Sequence, residues 1–134
     1  MLFRSCIDKY YRNTRTGISD NEDMGCQSAF YMCSSMGLYP IMGQDLYMIT
    51  SPIFDKITVQ MGDRDKSLVI RAERMGLDDK YIVGATLNGK KLDRAWIRHE
   101  EIAEGGVLEL TLDKHPNGWG NNIVPPRPMS EITK

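Results

Sequence analysis

The sequence lacks the features that mark membrane-spanning and exported chains. No apolar run approaches the roughly 18 to 20 residues that a membrane-spanning helix needs. The opening segment, MLFRSCIDKYYRN, is charged too early and too often for a signal peptide. We therefore expect no membrane partner, and these residues by themselves assign no compartment.

The sequence also lacks an excess of either charge. It has 17 basic and 18 acidic residues, which gives a formal net charge of -1. No basic stripe is interleaved with aromatic residues, as a nucleic-acid-binding surface would require. We therefore expect no nucleic-acid partner.

Cysteine is scarce, and its spacing excludes two kinds of site. The three cysteines form no CxxC pair and have no histidine at zinc-binding spacing, so neither a disulfide framework nor a zinc site is expected. We predict buried or half-buried thiols at Cys6, Cys26 and Cys33. The chain is instead rich in methionine. Five of these residues are expected to be flexible fillers of a core: Met24, Met32, Met36, Met42 and Met48.

The first part of the chain has the periodicity of two helices. From Leu2 to Tyr11 apolar residues recur at three- and four-residue steps, and the pattern stops near Asn13. A second helix is predicted from about Asp23 to Met36, and Gly37 is expected to end it. The side chain of Asn21 or Asp23 is expected to cap its first turn.

The period changes after Pro40. Short segments rich in Val, Ile, Thr and Leu predict five strands of an antiparallel region: LYMIT, KITVQM, SLVIRA, YIVGATL and VLELTL. Asn88-Gly89 predicts a tight hairpin, because both residues tolerate positive φ. WIRHEEIAEGG predicts a short helical turn. The fold class is therefore α+β, with helices in 1–40, strands in 41–113 and an extended Pro-rich tail in 114–134.

The remaining histidines and tryptophans are interpreted as structural. His99, beside two glutamates, fits a hydrogen-bonding role, and His115 is expected to be solvated. Trp96 and Trp119 are expected to pack in a core, with stacking on a sugar as the alternative.

An acidic turn precedes the second helix. Asp20, Asn21, Glu22 and Asp23 follow one another there. On composition alone they predict a solvated helix cap. A calcium loop is the other interpretation, but the alternating oxygen donors and distant bidentate Glu of an EF-hand are absent.

The segment DNEDMGCQSAFYMCSSMGLYPI resembles glycoside hydrolase family 92, the calcium-dependent exo-acting α-mannosidases. The positions that match that family's turn-and-helix motif are Asn21, Glu22, Asp23, Gly25, Ser28, Ala29, Phe30, Gly37, Tyr39 and Pro40. Two later blocks, SPIFDKITV and ATLNGKKLDRAWIRHEEIAEGGVLEL, and the closing NGWG resemble the same family in the same order. Asp20, where the family usually has Gly, and Cys26-Gln27 depart from its pattern.

The resemblance implies an inverting hydrolysis. Asp23 falls at the position of the general base, and Asn21 falls where a second polar residue helps to hold the attacking water. The two helices would be the end of an (α/α)6 barrel, followed by a β-sandwich-like region. The general acid and calcium ligands would lie upstream, so this chain resembles a C-terminal fragment.

The same resemblance implies the partners. A complete enzyme would bind calcium and remove terminal, α-1,2-linked mannose from glycans, and family members are often exported. The fragment alone is expected to bind no calcium and to be inactive unless the N-terminal part of the enzyme joins it. The alternative is a non-catalytic β-rich module that binds carbohydrate or is structural.

Overall fold

A computed structural model describes residues 2–18, 21–62 and 65–126. The helical part begins with α1 (Leu2–Tyr10). A 3-10 turn (Asp23–Gly25) then leads into α2 (Cys26–Met36). Gly37 ends α2 as predicted: its φ is 94°, and its amide donates to the Cys33 carbonyl. None of the helices in the described residues is both long and apolar enough to span a bilayer.

Aromatic rings hold the two helices together. The Phe3 ring of α1 stacks on Phe30 of α2 with centroids 5.8 Å apart. Tyr39 contacts both rings, at 5.1 Å and 5.7 Å. Farther along, Tyr11 and Tyr31 lie 5.3 Å apart. The apolar stripe read from the sequence of α1 is therefore directed at α2 and at the strand that follows it.

In the part of the chain that the structure describes, eight strands follow, in two sheets. They are β1 (Leu38–Pro40), β2 (Leu46–Ile49), β3 (Lys56–Met61), β4 (Lys66–Glu73), β5 (Tyr81–Leu87), β6 (Lys90–Leu92), β7 (Trp96–Arg98) and β8 (Gly106–Asp113). A three-stranded sheet has the order β1-β2-β7, and a five-stranded sheet has the order β3-β4-β8-β5-β6. All pairs are antiparallel except β4 and β8, which run parallel.

One buried cluster combines side chains from both sheets. Ile97 of the smaller sheet and Ile70, Leu108 and Leu110 of the larger are all fully buried. Alternation along β8 buries its three leucines and turns Glu109 and Thr111 outward. Burial of these aliphatic side chains is the main driving force for folding of the β region.

The prediction of five strands was incomplete. All five predicted segments form strands, and β6 is the second arm of the hairpin predicted at Asn88-Gly89. The sequence did not show β1 and β7, which at three residues each are too short for an alternating pattern. The segment predicted as one helical turn contains β7 and then a 3-10 turn (His99–Glu101). Pairing with β2 makes Trp96–Arg98 a strand, and that long-range contact leaves no local signal.

Three of the five methionines predicted as core fillers are exposed, whereas Met36 and Met48 are half-buried. Met24, Met32 and Met42 have side chains 106%, 56% and 91% exposed, so they do not fill a core. Cys26 is exposed too, whereas Cys6 and Cys33 are half-buried; all three are free thiols. Met32 is therefore an apolar side chain of α2 that neither α1 nor β1 covers.

Polar contacts fasten α1 to the β region. Arg4 is 8% exposed, and its Nη1 donates to the Pro52 carbonyl at 3.0 Å. Asp8 bonds both Arg4, at 3.0 Å, and Lys80 Nζ, at 2.6 Å. Partial burial acts to raise the pKa of Asp8, but the bonds from Lys80 and Arg4 outweigh it and lower that pKa.

Candidate functional site

The acidic turn lies at the start of α2 and is open to solvent. Asn21, Glu22 and Asp23 are all exposed. Asp20 lies outside the described residues. Met24 and Gly25 then adopt φ of 52° and 78°, two consecutive residues in the left-handed region. This bend separates Asp23 from the helix proper.

Met24 is the strained member of that pair. A side chain other than that of Gly, Asn or Asp rarely adopts the left-handed conformation, which costs about 1–2 kcal/mol. The Met24 side chain is fully exposed, so no burial of that side chain offsets the cost. Strain of this kind concentrates at functional sites, where a particular backbone direction matters more than local stability.

Glu22 caps α2 through the Ser28 amide, a role that the sequence assigned to Asn21 or Asp23. The Ser28 amide donates to Glu22 Oε1 at 2.9 Å, six residues along the chain. A bond over this distance is possible because the left-handed pair folds the chain back over the helix start. Standard spacing rules place the capping side chain two or three residues before the amide. For that reason the sequence predicted Asn21 or Asp23 as the cap.

This contact favours the charged form of Glu22. Hydrogen bonds from Ser28, side chain first and then backbone, lower the pKa of the Glu22 carboxyl below its ordinary value. The amide donors at the start of α2 also carry the positive end of the helix dipole.

Asn21 is fixed through its backbone. Gln27 Nε2 donates to the Asn21 carbonyl at 3.1 Å. The contact runs from the first turn of α2 back to the acidic turn. Together with the Glu22 bond it ties two successive residues of the turn to the helix, which restricts the direction in which Asp23 can point.

A groove of about 470 Å³ lies beside the turn. It is lined by Tyr11, Arg12, Asn13, Gly17, Ile18, Ser28 and Tyr31. Burial raises the pKa of the Tyr11 phenol, and the nearby Glu22 carboxylate raises it further. The Tyr11 phenol therefore stays neutral, and its hydroxyl can donate a hydrogen bond toward the side of the groove where Glu22 lies.

The described residues do not fit a calcium site. Within 2–18, 21–62 and 65–126, His, Cys, Asp and Glu side chains nowhere form a group of three that could hold a metal ion. In the acidic turn, one oxygen of Glu22 already accepts the Ser28 amide. Calcium takes six to eight oxygen ligands, and the described side chains bring no three carboxylates together for it.

The structure separates the other candidate residues from the turn. His99 Nδ1 lies 3.0 Å from the Tyr47 hydroxyl, which agrees with a structural role, and His115 is exposed as predicted. Trp119 packs against the core and donates Nε1 to the Leu92 carbonyl at 2.8 Å. Trp96 donates to the Ile123 carbonyl at 3.2 Å, so both indoles hold chain segments together.

Sequence reasoning missed Tyr11 and Tyr31 as neighbours of the acidic turn. Tyr11 belongs to the apolar stripe predicted for the first helix, and the sequence assigned no role to Tyr31. Tyr11 follows the last residue of α1 and Tyr31 lies in the middle of α2, so only the crossing of the two helices brings them to one groove. No spacing within the sequence could have shown this.

Comparison with known proteins gives a consistent answer. Residues 1–114 match the model of the glycosyl hydrolase family 92 catalytic domain. An uncharacterized secreted glycosidase of Arthroderma benhamiae is 39% identical over 126 residues, which are 90% of this chain and 16% of that protein.

Solved structures agree. A family GH92 α-mannosidase from Bacteroides thetaiotaomicron superposes with a TM-score of 0.84 at 31% identity, covering 93% of this chain and 17% of the other. A second protein of that organism, a family GH92 inverting mannosidase, gives 0.78 at 38% identity, covering 87% and 16%. This chain therefore spans about a sixth of the length of these relatives. It belongs to glycoside hydrolase family 92, as part of the catalytic domain.

Proposed function

We propose that this chain supplies the base-bearing turn of an inverting exo-acting α-mannosidase that removes terminal, α-1,2-linked mannose from glycans. Support comes from the family match and from the relative described as an inverting mannosidase. The GH92 α-mannosidase that superposes on this chain with a TM-score of 0.84 has also been solved in complex with mannoimidazole. The sugar of that complex is consistent with a mannose-containing substrate.

The observation that carries the proposal is the division of roles between two adjacent carboxylates. Glu22 accepts the Ser28 amide and so takes over the cap. Asp23 is exposed at the start of the bend and has no part in that bond. A turn built only to start a helix has no need of the strained Met24 conformation or of a second carboxylate. Asp23 is thus available for proton transfer.

In the proposed reaction, a water molecule attacks the anomeric carbon while the Asp23 carboxylate accepts a proton from that water. The bond from that carbon to the glycosidic oxygen breaks, and a carboxylic acid from the remainder of the enzyme protonates the departing oxygen. The products are mannose with inverted configuration and the shortened glycan. Asn21 orients the water by hydrogen bonding to it.

The proposed architecture also divides the enzyme between this chain and a remainder that lies outside it. Residues 1–40 form the end of an (α/α)6 barrel, 41–113 a β-sandwich-like region and 114–134 a Pro-rich tail. The core shared by the two sheets supports the sandwich, and the exposed apolar residues of α2 support a barrel that extends beyond this chain. In this proposal the remaining barrel supplies the acid and the calcium ligands.

Substitution of the two acidic residues tests the assignment. We expect Asp23→Asn, made in a full-length relative that carries this segment, to lower kcat by roughly 10²- to 10⁴-fold, the usual contribution of a positioned general base. Asn keeps the shape of Asp but cannot accept the proton. Hydrolysis of an α-1,2-linked mannobiose is measured by release of mannose.

Glu22→Gln is the matched control. It also removes one negative charge from the turn, but it keeps an oxygen that can accept the Ser28 amide. We expect kcat to change by less than about 10-fold. Equal losses in the two variants would show that the turn acts through its charge or its fold, and the assignment of Asp23 as base would fail.

A further inference from the structure

The outward face of the five-stranded sheet has a groove that the proposed reaction does not use. Its volume is about 290 Å³, at the lower end of the range of ligand clefts. Its lining residues are Glu73, Gly84, Ala85, Thr86, Lys91, Glu109 and Thr111. They belong to β4, β5, β6 and β8, whereas the acidic turn precedes α2.

Gly84 forms part of the lining, and neither its backbone nor its packing requires glycine. It is not among the glycines with positive φ. A Cβ added at this position would have only Thr111 Oγ1 within 4 Å, at 4.0 Å. Glycine in the interior of a strand weakens that strand. Some other factor must therefore favour a residue without a side chain at position 84. Close approach of a ligand to the strand is one such factor.

A β-bulge changes the direction of β5 next to Gly84. Ile82 pairs with Leu112 and Gly84 with Thr111, so Val83 is an extra residue in the strand. The Val83 carbonyl accepts a hydrogen bond from Asn117 Nδ2 at 2.8 Å, which fixes the bulge. Bulges occur frequently beside binding sites, because they redirect the side chains that follow.

Several polar groups of the groove are already oriented by hydrogen bonds or ion pairs. Glu109 Oε2 accepts from the Thr86 hydroxyl at 3.1 Å, and its Oε1 lies 3.9 Å from Arg71. Lys91 and Glu73 are exposed at the margins. Hydroxyls, two carboxylates and one ammonium group together offer donors and acceptors, and the excess of negative charge does not favour an anion. This combination fits a neutral ligand with several hydroxyl groups.

From this geometry we propose that the groove at Gly84 binds a single neutral sugar ring, separately from the catalytic site. The ring lies over Gly84, and its hydroxyls exchange hydrogen bonds with Glu109, Thr86 and Thr111. A sugar chain bound here would be held to the enzyme surface while another of its ends is hydrolysed. The inference does not depend on the role of Asp23.

The test uses the 134-residue chain labelled with nitrogen-15 and titrated with methyl α-mannopyranoside. We expect saturable shifts of the amide signals of Gly84, Thr86 and Thr111, with a dissociation constant in the millimolar range. Gly84→Val should weaken binding at least 10-fold, because its methyl groups occupy the groove. Glu109→Gln, which removes the charge that receives sugar hydroxyls, should weaken it less.

Three controls make the result specific. Thr58→Val places the same side chain at an exposed position on β3, away from the groove, and should bind the sugar as the wild type does. Asp23→Asn should also leave this binding unchanged. Glycerol at the same concentration should not reproduce the shifts. If it does, or if the wild-type chain shows no saturable shifts, the proposal is wrong.

The fold of Gly84→Val is checked by its unfolding temperature. We expect that temperature to stay equal or to rise, because valine favours strands and meets open space here. If the variant fails to fold, Thr111→Val, at an exposed position of the same groove, takes its place and should weaken binding at least threefold. Undiminished binding by whichever variant folds would overturn the proposal.

Discussion

Glu22 and Asp23 are neighbours of the same charge, but their surroundings divide two tasks between them. Glu22 is bonded to the Ser28 amide, and Asp23 precedes two residues in the left-handed conformation. The sequence showed the crowding of acidic residues and, through the family resemblance, singled out Asp23. It did not show which residue caps the helix, because the capping contact spans six residues and depends on the positive φ of Met24.

The cap predicts a pH dependence of stability. Hydrogen bonds from Ser28 lower the pKa of Glu22 in the folded chain. Its ionised form therefore stabilises the fold above the pKa of the unfolded chain, and this contribution is lost as pH falls through the lowered, folded value. We expect the free energy of unfolding of Glu22→Gln to fall less steeply than that of the wild type between about pH 5 and 3.

Urea unfolding at several pH values measures this difference. Above that window the wild type should be the more stable of the two, and at the acid end the two chains should converge. Parallel curves over the whole window would show that the Glu22 charge does not stabilise the helix start.

At the scale of elements, turn residues predicted more than strand composition did. The Asn88-Gly89 hairpin is confirmed, with φ of 50° and 75°, and β5 pairs with β6 across it. Asn88 has a further role that its turn preference did not reveal: its Oδ1 accepts the Val107 amide at 2.8 Å. The hairpin is therefore bonded to the beginning of β8.

Substitution at this turn should destabilise the β region. We expect Gly89→Val to lower the free energy of unfolding by about 1–2 kcal/mol, because a β-branched side chain is strained at this φ. The open space around Gly89 excludes a steric clash as the cause, since a Cβ would meet no atom within 4 Å. Lys90→Val, at the next and equally exposed position, should change stability by less than about 0.5 kcal/mol.

Thermal and urea unfolding of the two variants decide between the explanations. Strain at residue 89 predicts a loss in Gly89→Val alone. Similar losses in both variants would show that an apolar side chain at the hairpin end is harmful regardless of backbone conformation.

For the molecule as a whole, the sequence predicted the order of helices and strands but not how they are joined. The prediction that two helices precede the strands is confirmed, but the first strand, β1, begins before the change of period at Pro40. The contacts that fasten them, Arg4 to the Pro52 carbonyl and Asp8 to Lys80, connect residues 48 and 72 positions apart. The parallel pairing of β4 with β8 is also long-range. Such contacts depend on the completed fold, and a one-dimensional pattern does not contain them.

The position of the acidic turn also predicts what the chain does alone. The turn is exposed, and the groove beside it, lined by α2 and by the loop that follows α1, is open to solvent. A water molecule held by Asn21 and Asp23 would have no enclosed sugar to attack, and a single carboxylate supplies one of the two proton transfers that inversion requires. The family relatives are about six times as long as this chain, and we propose that the other group comes from that remainder.

We therefore expect the 134-residue chain by itself to release no mannose from an α-1,2-linked mannobiose, with or without added calcium. The measurement compares equal molar amounts of this chain and of an intact family relative, each in calcium and in EDTA. The relative serves as the positive control for substrate and detection. Release of mannose by this chain that requires calcium and stops with EDTA would show that its own residues complete the site, and the proposed division of the acid and base between two parts of a longer enzyme would be wrong.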